Sequence, residues 1–235
     1  MKMPHKTHLV IVIPVYNEGK VIRKVIDSLP KKLEGVGRIS VLVVNDGSLD
    51  NTAYEVQKTQ AILINLPFNL GYGGASIAGF EASRALGADL VVTCDGDGQH
   101  DSKDIKKLVA PILQNKADIV IGTRLKKSGH MPTIKKIGNW GLNFITFAVS
   151  RVWTTDSQSG FKAFSREAVS KIDIEGMGYE FCSEIIVEAR RHKLKITEVP
   201  IKTIYTKYSK KKGQSLLNGI NIVTKLLLSK LTRTK

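Results

Sequence analysis

The sequence predicts an α/β protein in which a mostly parallel sheet carries helices on both faces. Two observations predict this class. Short apolar runs, typical of fully buried strands, alternate along the chain with stretches that have the apolar periodicity of helices. Several of the apolar runs end abruptly in polar or acidic residues, at the place where open α/β sheets bind their ligands.

Taken in order, the first predicted strand covers residues 8–13 and is closed by Pro14, and a helix with one apolar face follows over residues 21–29. Further strands are predicted at 39–44, 61–65, 90–94 and 118–121, with helices at about 69–86 and 102–114. Because strand and helix alternate, parallel pairing is expected throughout the sheet.

The composition fits one cytoplasmic domain with a substantial core. The chain has 235 residues and two cysteines, Cys94 and Cys182, which give no disulfide framework. No apolar run reaches the ~18 to 20 residues needed to cross a bilayer. The N-terminus also lacks the apolar core of a signal peptide. We therefore expect a cytoplasmic protein without a membrane span.

The net charge of +15 is concentrated in two segments. Six basic residues and no acid lie between Asp118 and Asp156, and nine basic residues and no acid follow Glu198. Together these account for the whole excess, so the rest of the chain is neutral. Such one-sided charge predicts contact with something anionic, which is a phosphate group, nucleic acid or a lipid surface.

The most informative stretch is DGDGQH at residues 95–100, directly after an apolar strand. Asp95 and Asp97 can both turn toward one hard cation and Gln99 adds a neutral oxygen, a donor set that suits Mg²⁺ or Mn²⁺. A polar turn before a helix is the alternative, and a lone Asp-x-Asp does not decide between the two. His100 is interpreted as a group that supports the ligands or as a helix-start residue, rather than as a ligand.

Glycines after Asn69 suggest a dinucleotide-binding loop, but their spacing is wrong. The next strand also begins, rather than ends, with its acid, Asp89. Close helix packing and room for a ligand explain Gly71, Gly73 and Gly74 better.

Six sequence blocks occur in the order found in one known family. They are PVYNE at 14–18, NDGS at 45–48, NLGYG at 69–73, DGDGQH at 95–100, GTR at 122–124 and DSQSGFKAF at 156–164. On these blocks the chain resembles the family 2 glycosyltransferases of the dolichyl-phosphate mannose and glucose synthase type, which have the GT-A (Rossmann-like) fold. The resemblance covers about residues 8–215, and six ordered blocks are far more specific than any one of them.

The resemblance implies roles for the matching positions. The nucleoside of a nucleotide-sugar donor would be held by Pro14, Tyr16, Glu18 and Asp46. The expected catalytic residues are Asp95, Asp97 and Arg124. Asp95, Asp97 and Gln99 would bind Mg²⁺ or Mn²⁺ on the donor diphosphate, with Arg124 facing phosphate.

Some of these positions also have simpler interpretations. By itself, Asp46 is typical of a common Asp-Gly turn, and Arg124 of a solvated charge after a strand. Asp156 is interpreted either as orienting a lysine or the acceptor, or as capping its loop.

The resemblance divides the chain into a transferase domain at 1–205 and a segment at 206–235 with a basic lid loop and an amphipathic C-terminal helix. The family often has Arg-x-x-Gly-x-Ser-Lys in a loop that closes over the donor, and here residues 210–216 are KKKGQSL. Lys210 therefore takes the place of the arginine as a donor-binding residue. Tyr72 stands where many members have lysine.

Residues 132–153 concern the acceptor. They include Lys135, Lys136, Trp140 and Trp153, and they are too apolar for an ordinary surface helix. A core helix is one interpretation. A helix lying in a membrane interface, with basic residues at headgroup level, is favoured, and the tail from Ser215 predicts a second such element. The protein is therefore expected to associate peripherally with the cytoplasmic face of a membrane, with the membrane or a partner protein holding its acceptor.

Together these features predict an inverting, metal-assisted transferase. It would move a hexose or N-acetylhexosamine from GDP-mannose, UDP-glucose or UDP-N-acetylglucosamine to dolichyl phosphate or another polyprenyl phosphate. One alternative is a GT-A transferase acting on a saccharide hydroxyl, which needs a carboxylate base. Another is a basic nucleic-acid-binding module, which the acidic strand ends disfavour. We therefore expect no nucleic-acid partner.

Overall fold

Seven strands form a single sheet. They are β1 (His8–Val15), β2 (Arg38–Asn45), β3 (Ile62–Asn65), β4 (Leu90–Thr93), β5 (Ile119–Thr123), β6 (Lys162–Ser165) and β7 (Ile196–Pro200). The structure, a computed structural model, describes residues 6–124 and 133–204, apart from the side chains of residues 133–139. The strand order across the sheet is β3-β2-β1-β4-β6-β5-β7.

Helices cover both faces of this sheet. They are α1 (Ile22–Ser28), α2 (Thr52–Gln57), α3 (Gly71–Ala85), α4 (Ile105–Leu113), α5 (Thr133–Ser150), α6 (Arg166–Lys171) and α7 (Phe181–Arg191). Alternate side chains of β1 point to opposite faces. Leu9 and Ile11 lie in a core cluster with α1 and α4, whereas Val10 and Val12 lie in a second cluster with α3, α6 and α7. The predicted layering, with helices on both faces, is therefore confirmed.

One strand departs from the predicted pairing. β6 is antiparallel to both of its neighbours, β4 and β5, while the other pairs are parallel. The expectation of parallel pairing throughout is therefore wrong at β6. The physical reason is that the chain leaving β5 does not cross back over the sheet before β6, so β6 starts at the edge where β4 and β5 end. Residues that precede β6 consequently share an edge with residues that follow β4 and β5.

The strand order also indicates where a ligand-binding crevice is expected. From β1 the chain builds outward through β2 and β3, while β4 lies on the other side of β1. In open α/β sheets, ligands bind where the order reverses in this way, outside the carboxyl ends of the strands. The loops after β1 and β4 therefore flank the expected binding crevice.

Several predicted features lie outside the described residues. These are Lys210, the lid loop, the amphipathic tail, Lys126 and Lys127, and the side chains of Lys135 and Lys136. Across the ranges that the structure does describe, no helix is both long enough and apolar enough to pass through a bilayer.

Candidate active site

The loop after β4 carries the three predicted metal ligands and brings two of them, Asp97 and Gln99, into contact. Asp97 Oδ1 accepts a hydrogen bond from the backbone N–H of Gln99 at 2.9 Å, and its Oδ2 accepts one from the Gln99 side-chain amide. Gln99 therefore turns its amide nitrogen toward Asp97 in this structure. Its carbonyl oxygen is the atom that a metal would need.

Asp95 is oriented by a buried histidine. His100 Nε2 lies 2.9 Å from Asp95 Oδ2, and the His100 ring stacks on Phe161 with ring centroids 4.6 Å apart. The other oxygen, Asp95 Oδ1, is buried and has no hydrogen-bond partner among the described residues. The histidine thus supports Asp95, as one of its two favoured interpretations predicts.

The two carboxyl groups differ electrostatically. Burial raises the pKa of Asp95, but the hydrogen bond from His100 and the nearby charges of His100 and Arg124 outweigh it, and the pKa is lowered overall. Burial and the charge of Asp95 raise the pKa of Asp97, against the opposing effect of the bonds from Gln99. A cation placed between the two carboxylates would relieve their mutual repulsion.

Gly160, which comes just before β6, packs directly against Asp95. A Cβ atom at this position would lie 2.3 Å from Asp95 Oδ1 and 2.6 Å from Oδ2. The hydroxyl group of Thr93 donates a hydrogen bond to the Gly160 carbonyl oxygen at 2.7 Å, which fixes the backbone at this position. Only glycine leaves room for the carboxylate here, a role that a single sequence does not reveal.

Arg124 and Asp156 meet across the same edge of the sheet. Arg124 Nε and Nη2 donate to the two oxygens of Asp156, each at 2.7 Å, and the Arg124 backbone N–H donates at 3.1 Å. Asp156 is fully buried and the Arg124 side chain is 22% exposed. In this structure the Asp156 carboxylate orients Arg124 rather than a lysine, and its predicted role toward the acceptor stays a prediction.

The residues predicted to hold the nucleoside lie around the ends of β1 and β2. Tyr16 is exposed, Pro14 is buried within β1, and the backbone N–H of Glu18 donates to the Thr52 hydroxyl at 2.8 Å. Asp46 accepts hydrogen bonds from the backbone N–H groups of residues 70 and 71, at 2.7 and 2.9 Å. Asp46 therefore anchors the loop that leads into α3, in addition to any contact with a ligand.

The glycines at the start of α3 are explained by close packing. The carbonyl oxygen of Met177 accepts hydrogen bonds from Gly73 and Gly74 at 2.8 and 3.2 Å. A Cβ atom on Gly73 would lie 2.0 Å from the Gly176 oxygen. The predicted close packing is thus observed. With these amides already bonded inside the protein, this helix start is not a dinucleotide-binding loop.

Comparison with known proteins decides the family. Residues 10–173 match the family model described as Glycosyl transferase family 2. The chain belongs to this family.

Two relatives align with most of this chain. The chain is 39% identical over 244 residues to the UDP-N-acetylglucosamine-dolichyl-phosphate N-acetylglucosaminyltransferase of Methanococcus voltae, and the alignment covers 94% of this chain and 95% of that protein. It is 30% identical over 223 residues to the undecaprenyl-phosphate mannosyltransferase of Micrococcus luteus, covering 88% of this chain and 86% of that protein.

A solved structure has the same fold. Glucosyl-3-phosphoglycerate synthase from Mycobacterium tuberculosis, in complex with Mn²⁺, UDP and glucosyl-3-phosphoglycerate, matches with a TM-score of 0.71 at 20% identity. The match covers 96% of this chain and 80% of that chain. The GT-A fold predicted for the glycosyltransferase is thereby confirmed.

The glycosyltransferase offers a partial donor set for a divalent cation. No group of three or more His, Cys, Asp or Glu residues arranged to hold a metal occurs within the described ranges. Mg²⁺ commonly binds through one or two carboxylates, and waters and substrate phosphates complete its coordination. Asp95 and Asp97, with the unpartnered Oδ1 of Asp95, fit an ion that is shared with a diphosphate.

A set of buried polar groups holds the loop before β6, and the sequence analysis missed its role. Lys162, 1% exposed, donates to the carbonyl oxygens of Ser157, at 3.4 Å, and of Ser159. Asn143 of α5 donates to the Thr155 carbonyl at 2.7 Å and accepts from the Ser157 N–H at 2.9 Å. The loop that carries Asp156 and Gly160 is therefore fastened to both α5 and β6.

Helix α5 of the glycosyltransferase has its polar side inward. Asn143, Thr146 and Ser150 are each at most 3% exposed, and Thr146 contacts Ser183 of α7 at 3.0 Å. By contrast, Trp140 is 62% exposed and Phe144 53% exposed, and their rings stack with centroids 6.1 Å apart. The core-helix interpretation is therefore wrong for the described part of α5. The spacing of three and four residues places these polar side chains on one side of the helix, but it does not show which side faces the protein.

Proposed function

We propose that this glycosyltransferase moves N-acetylglucosamine from UDP-N-acetylglucosamine to a polyprenyl phosphate at a membrane surface, with a divalent cation at Asp95 and Asp97. The observation that carries the proposal is the orientation of α5. The side chains of Trp140 and Phe144 point outward, while Asn143 on the inner side of α5 holds the loop that lies against Asp95. One helix thus links an apolar outer surface to the predicted donor site.

The outward aromatic residues support a lipid-borne acceptor. Trp140 and Phe144 expose large apolar rings that a surface helix of a soluble domain normally turns inward. Aromatic rings of this kind partition into the boundary between lipid headgroups and acyl chains. The basic residues that precede α5 in the sequence would match anionic headgroups. Association with the membrane is therefore proposed to be peripheral.

The choice of donor is supported by similarity. The Methanococcus voltae relative, 39% identical and aligned over 94% of this chain, is named for UDP-N-acetylglucosamine and dolichyl phosphate. The nucleoside is proposed to bind beside Tyr16, Glu18 and Asp46, at the ends of β1 and β2. Lys210, which lies outside the described residues, is proposed to reach the diphosphate.

The chemistry requires little proton transfer by the protein. A phosphate oxygen of the acceptor attacks the anomeric carbon, a new C–O bond forms, and the bond to the UDP oxygen breaks with inversion. The acceptor phosphate is already largely ionised near neutral pH, so no strong general base is needed. A bound divalent cation supplies charge stabilisation for the departing diphosphate. Asp95 and Asp97 would hold that cation beside the donor's diphosphate, and Arg124 would provide further positive charge at the end of β5.

A transfer assay tests the proposal. Purified protein with Mn²⁺ is offered GDP-mannose, UDP-glucose or UDP-N-acetylglucosamine, each with dolichyl phosphate in vesicles or with a soluble saccharide. We expect transfer from UDP-N-acetylglucosamine to the lipid, which stops in excess chelator and resumes when Mn²⁺ is restored. Preferential transfer to the soluble saccharide would instead support the hydroxyl-acceptor alternative.

A further inference from the structure

Residues 201–204, here called the crossing segment, follow β7 and pair with the loop that carries the predicted metal ligands. The backbone N–H of Ile204 donates to the Gln99 carbonyl oxygen at 2.8 Å. Thr203, the residue before it, forms an antiparallel bridge with His100. Two consecutive residues of the crossing segment are therefore paired with two consecutive residues of the loop.

The two loop residues that are paired in this way are the ones that orient the carboxylates. Gln99 donates to Asp97 from both its backbone N–H and its side-chain amide. The ring of His100 is hydrogen-bonded to Asp95 at 2.9 Å. A displacement of the crossing segment would therefore move Gln99 and His100, and through them both candidate metal ligands.

Asp104 ties the crossing segment to the start of α4. Its Oδ2 accepts a hydrogen bond from the backbone N–H of Lys202 at 2.7 Å, although the two residues are 98 positions apart in the sequence. Asp104 is 4% exposed, and its other carboxylate oxygen pairs with Lys107. Hydrogen bonds to an ionised acceptor are roughly twice as strong as those between neutral groups. The bond to Lys202 lies between the buried Ile201 and the residues that pair with the loop.

A capping role does not explain the Asp104 carboxylate. Asp104 occupies the N-cap position of α4, but its side chain makes no capping hydrogen bond there. An aspartate at this position ordinarily accepts from the free N–H groups of its own helix. The carboxylate is instead bonded to the crossing segment and to Lys107.

We propose that Asp104 is a positioning residue for the divalent cation: by fixing the crossing segment against the loop after β4, it holds Asp95 and Asp97 in the geometry that binds the ion. The inference rests on the proposed cation site and adds a residue that acts on that site through the backbone. Since such coupling is reciprocal, a bound ion should in turn stabilise the pairing of Ile204 with Gln99.

The test compares two substitutions of Asp104. Mn²⁺ affinity is measured from the electron paramagnetic resonance signal of the free ion. Asp104→Ala removes the acceptor for Lys202, and we expect Mn²⁺ to bind about three- to tenfold more weakly, as for the loss of one hydrogen bond to a charged group. Asp104→Asn keeps an oxygen acceptor without the charge and should restore most of the affinity. An equal loss in both variants would show that the charge alone attracts the ion, which would overturn the inference.

Asp118→Ala is the matched control, because it removes the same kind of hydrogen bond from the other end of β7. The Asp118 carboxylate accepts from the backbone N–H of Lys195, just before this strand, at 2.8 Å. Asp118 itself precedes β5, at the edge of the sheet opposite the crevice. We expect its loss to leave Mn²⁺ affinity unchanged. Equal weakening by Asp118→Ala and Asp104→Ala would mean a general loss of stability and no positioning.

Amide hydrogen exchange gives a readout that depends neither on activity nor on the ion. Followed by NMR without metal, the amide of Ile204 should exchange at least about threefold faster in Asp104→Ala than in wild type, because its pairing with Gln99 opens more often. Asp118→Ala should exchange at this position as wild type does. Adding Mn²⁺ to wild type should slow the exchange. An Ile204 amide that exchanges equally in Asp104→Ala and wild type would contradict the role of Asp104.

The outcomes also distinguish this inference from the proposed function. Wild type that binds Mn²⁺ but transfers no sugar would remove the proposed function and leave the role of Asp104 standing. Wild type that binds no Mn²⁺ would remove the cation site and this inference with it. Wild-type affinity for Mn²⁺ in Asp104→Ala would remove the role of Asp104 alone.

Discussion

Arg124 and Asp156 form a two-point ion pair across the carboxyl edge of the sheet, with both nitrogen-to-oxygen distances at 2.7 Å. They lie 32 residues apart in the sequence, and the carboxylate is fully buried. The pair fixes the plane of the guanidinium group, and two of the three guanidinium nitrogens are engaged by the carboxylate. Arg124 is therefore a pre-oriented charge rather than a mobile one.

Asp156→Ala should lower the free energy of unfolding by about 3 kcal/mol, because removing one partner leaves a mostly buried charge unpaired. Urea denaturation of the variant and of wild type measures this difference. The control is Glu167→Gln, which breaks an exposed pair with Lys171 and should change the midpoint little. Equal midpoints for Asp156→Ala and wild type would show that the pair adds nothing to stability.

Asp97→Ala should abolish sugar transfer without unfolding the protein. Asp97 lies on a loop, and its carboxylate accepts local hydrogen bonds from Gln99, two residues away. The variant should therefore melt close to wild type while Mn²⁺ affinity and turnover fall by at least about a hundredfold, as expected when an electrostatic stabiliser is lost. Turnover near the wild-type rate would contradict the metal assignment.

Gly160→Ala should weaken Mn²⁺ binding by displacing Asp95. The added methyl group would stand 2.3 Å from Asp95 Oδ1, so the carboxylate must move. We expect about a tenfold or greater loss of Mn²⁺ affinity, since an ångström-scale shift of a ligand is sufficient for that. Gly141→Ala is the matched control, because no described atom outside the adjacent helix backbone lies within 4 Å of the new Cβ atom there. If both variants bind Mn²⁺ equally well, the packing of Gly160 on Asp95 does not matter for binding.

Replacing Trp140 and Phe144 together with alanine should reduce binding to vesicles that contain anionic lipid. Each ring is more than half exposed, so its loss should not disturb the core. Full burial of such a side chain is worth roughly 1.5 to 3 kcal/mol, so partial insertion of two rings predicts at least about a tenfold loss. Vesicle sedimentation measures this loss, and the control is Leu49→Ala, which removes an exposed apolar side chain from a loop elsewhere in the protein. Unchanged sedimentation would argue against α5 as the membrane-contacting element.

His8 should make the protein less stable in mild acid. Burial and the charge of Arg38 lower the pKa of His8 below its usual value, against the raising effects of the Leu86 carbonyl and Asp89. Between the folded pKa and the unfolded value of about 6.5, the unfolded chain binds more protons, so stability falls as pH decreases through that window. His8→Gln should flatten this dependence when unfolding is followed at several pH values between 7.5 and 5. Parallel curves for the two proteins would exclude His8 as the cause.

Much of the fold follows from local patterns in the sequence. The predicted strands agree with the observed ones to within two residues, because a strand buried on both faces admits few alternatives to a continuous apolar run. The direction of β6 was not predictable in this way. Its four residues give no signal of orientation, and direction depends on whether the preceding chain crosses the sheet.

The candidate site was predictable only where residues lie close in sequence. The cluster of Asp95, Asp97 and Gln99 is contiguous, so its chemistry is visible in one chain. Gly160 contacts Asp95, and Arg124 pairs with Asp156, although the residues of each pair are far apart in the sequence. Such contacts cannot be predicted from a single sequence. For α5, periodicity identifies an apolar stripe but gives the same period whether that stripe faces the core or the outside.

The reversed direction of β6 has a consequence for assembly of the protein. Asp95 follows β4, Gly160 precedes β6, and Arg124 follows β5, so these residues become neighbours only when all three strands have paired. No contiguous fragment of the chain could therefore form the proposed donor site. A nucleotide sugar would act as a ligand of the completed sheet alone, and its binding would stabilise the whole molecule against unfolding as a single cooperative unit.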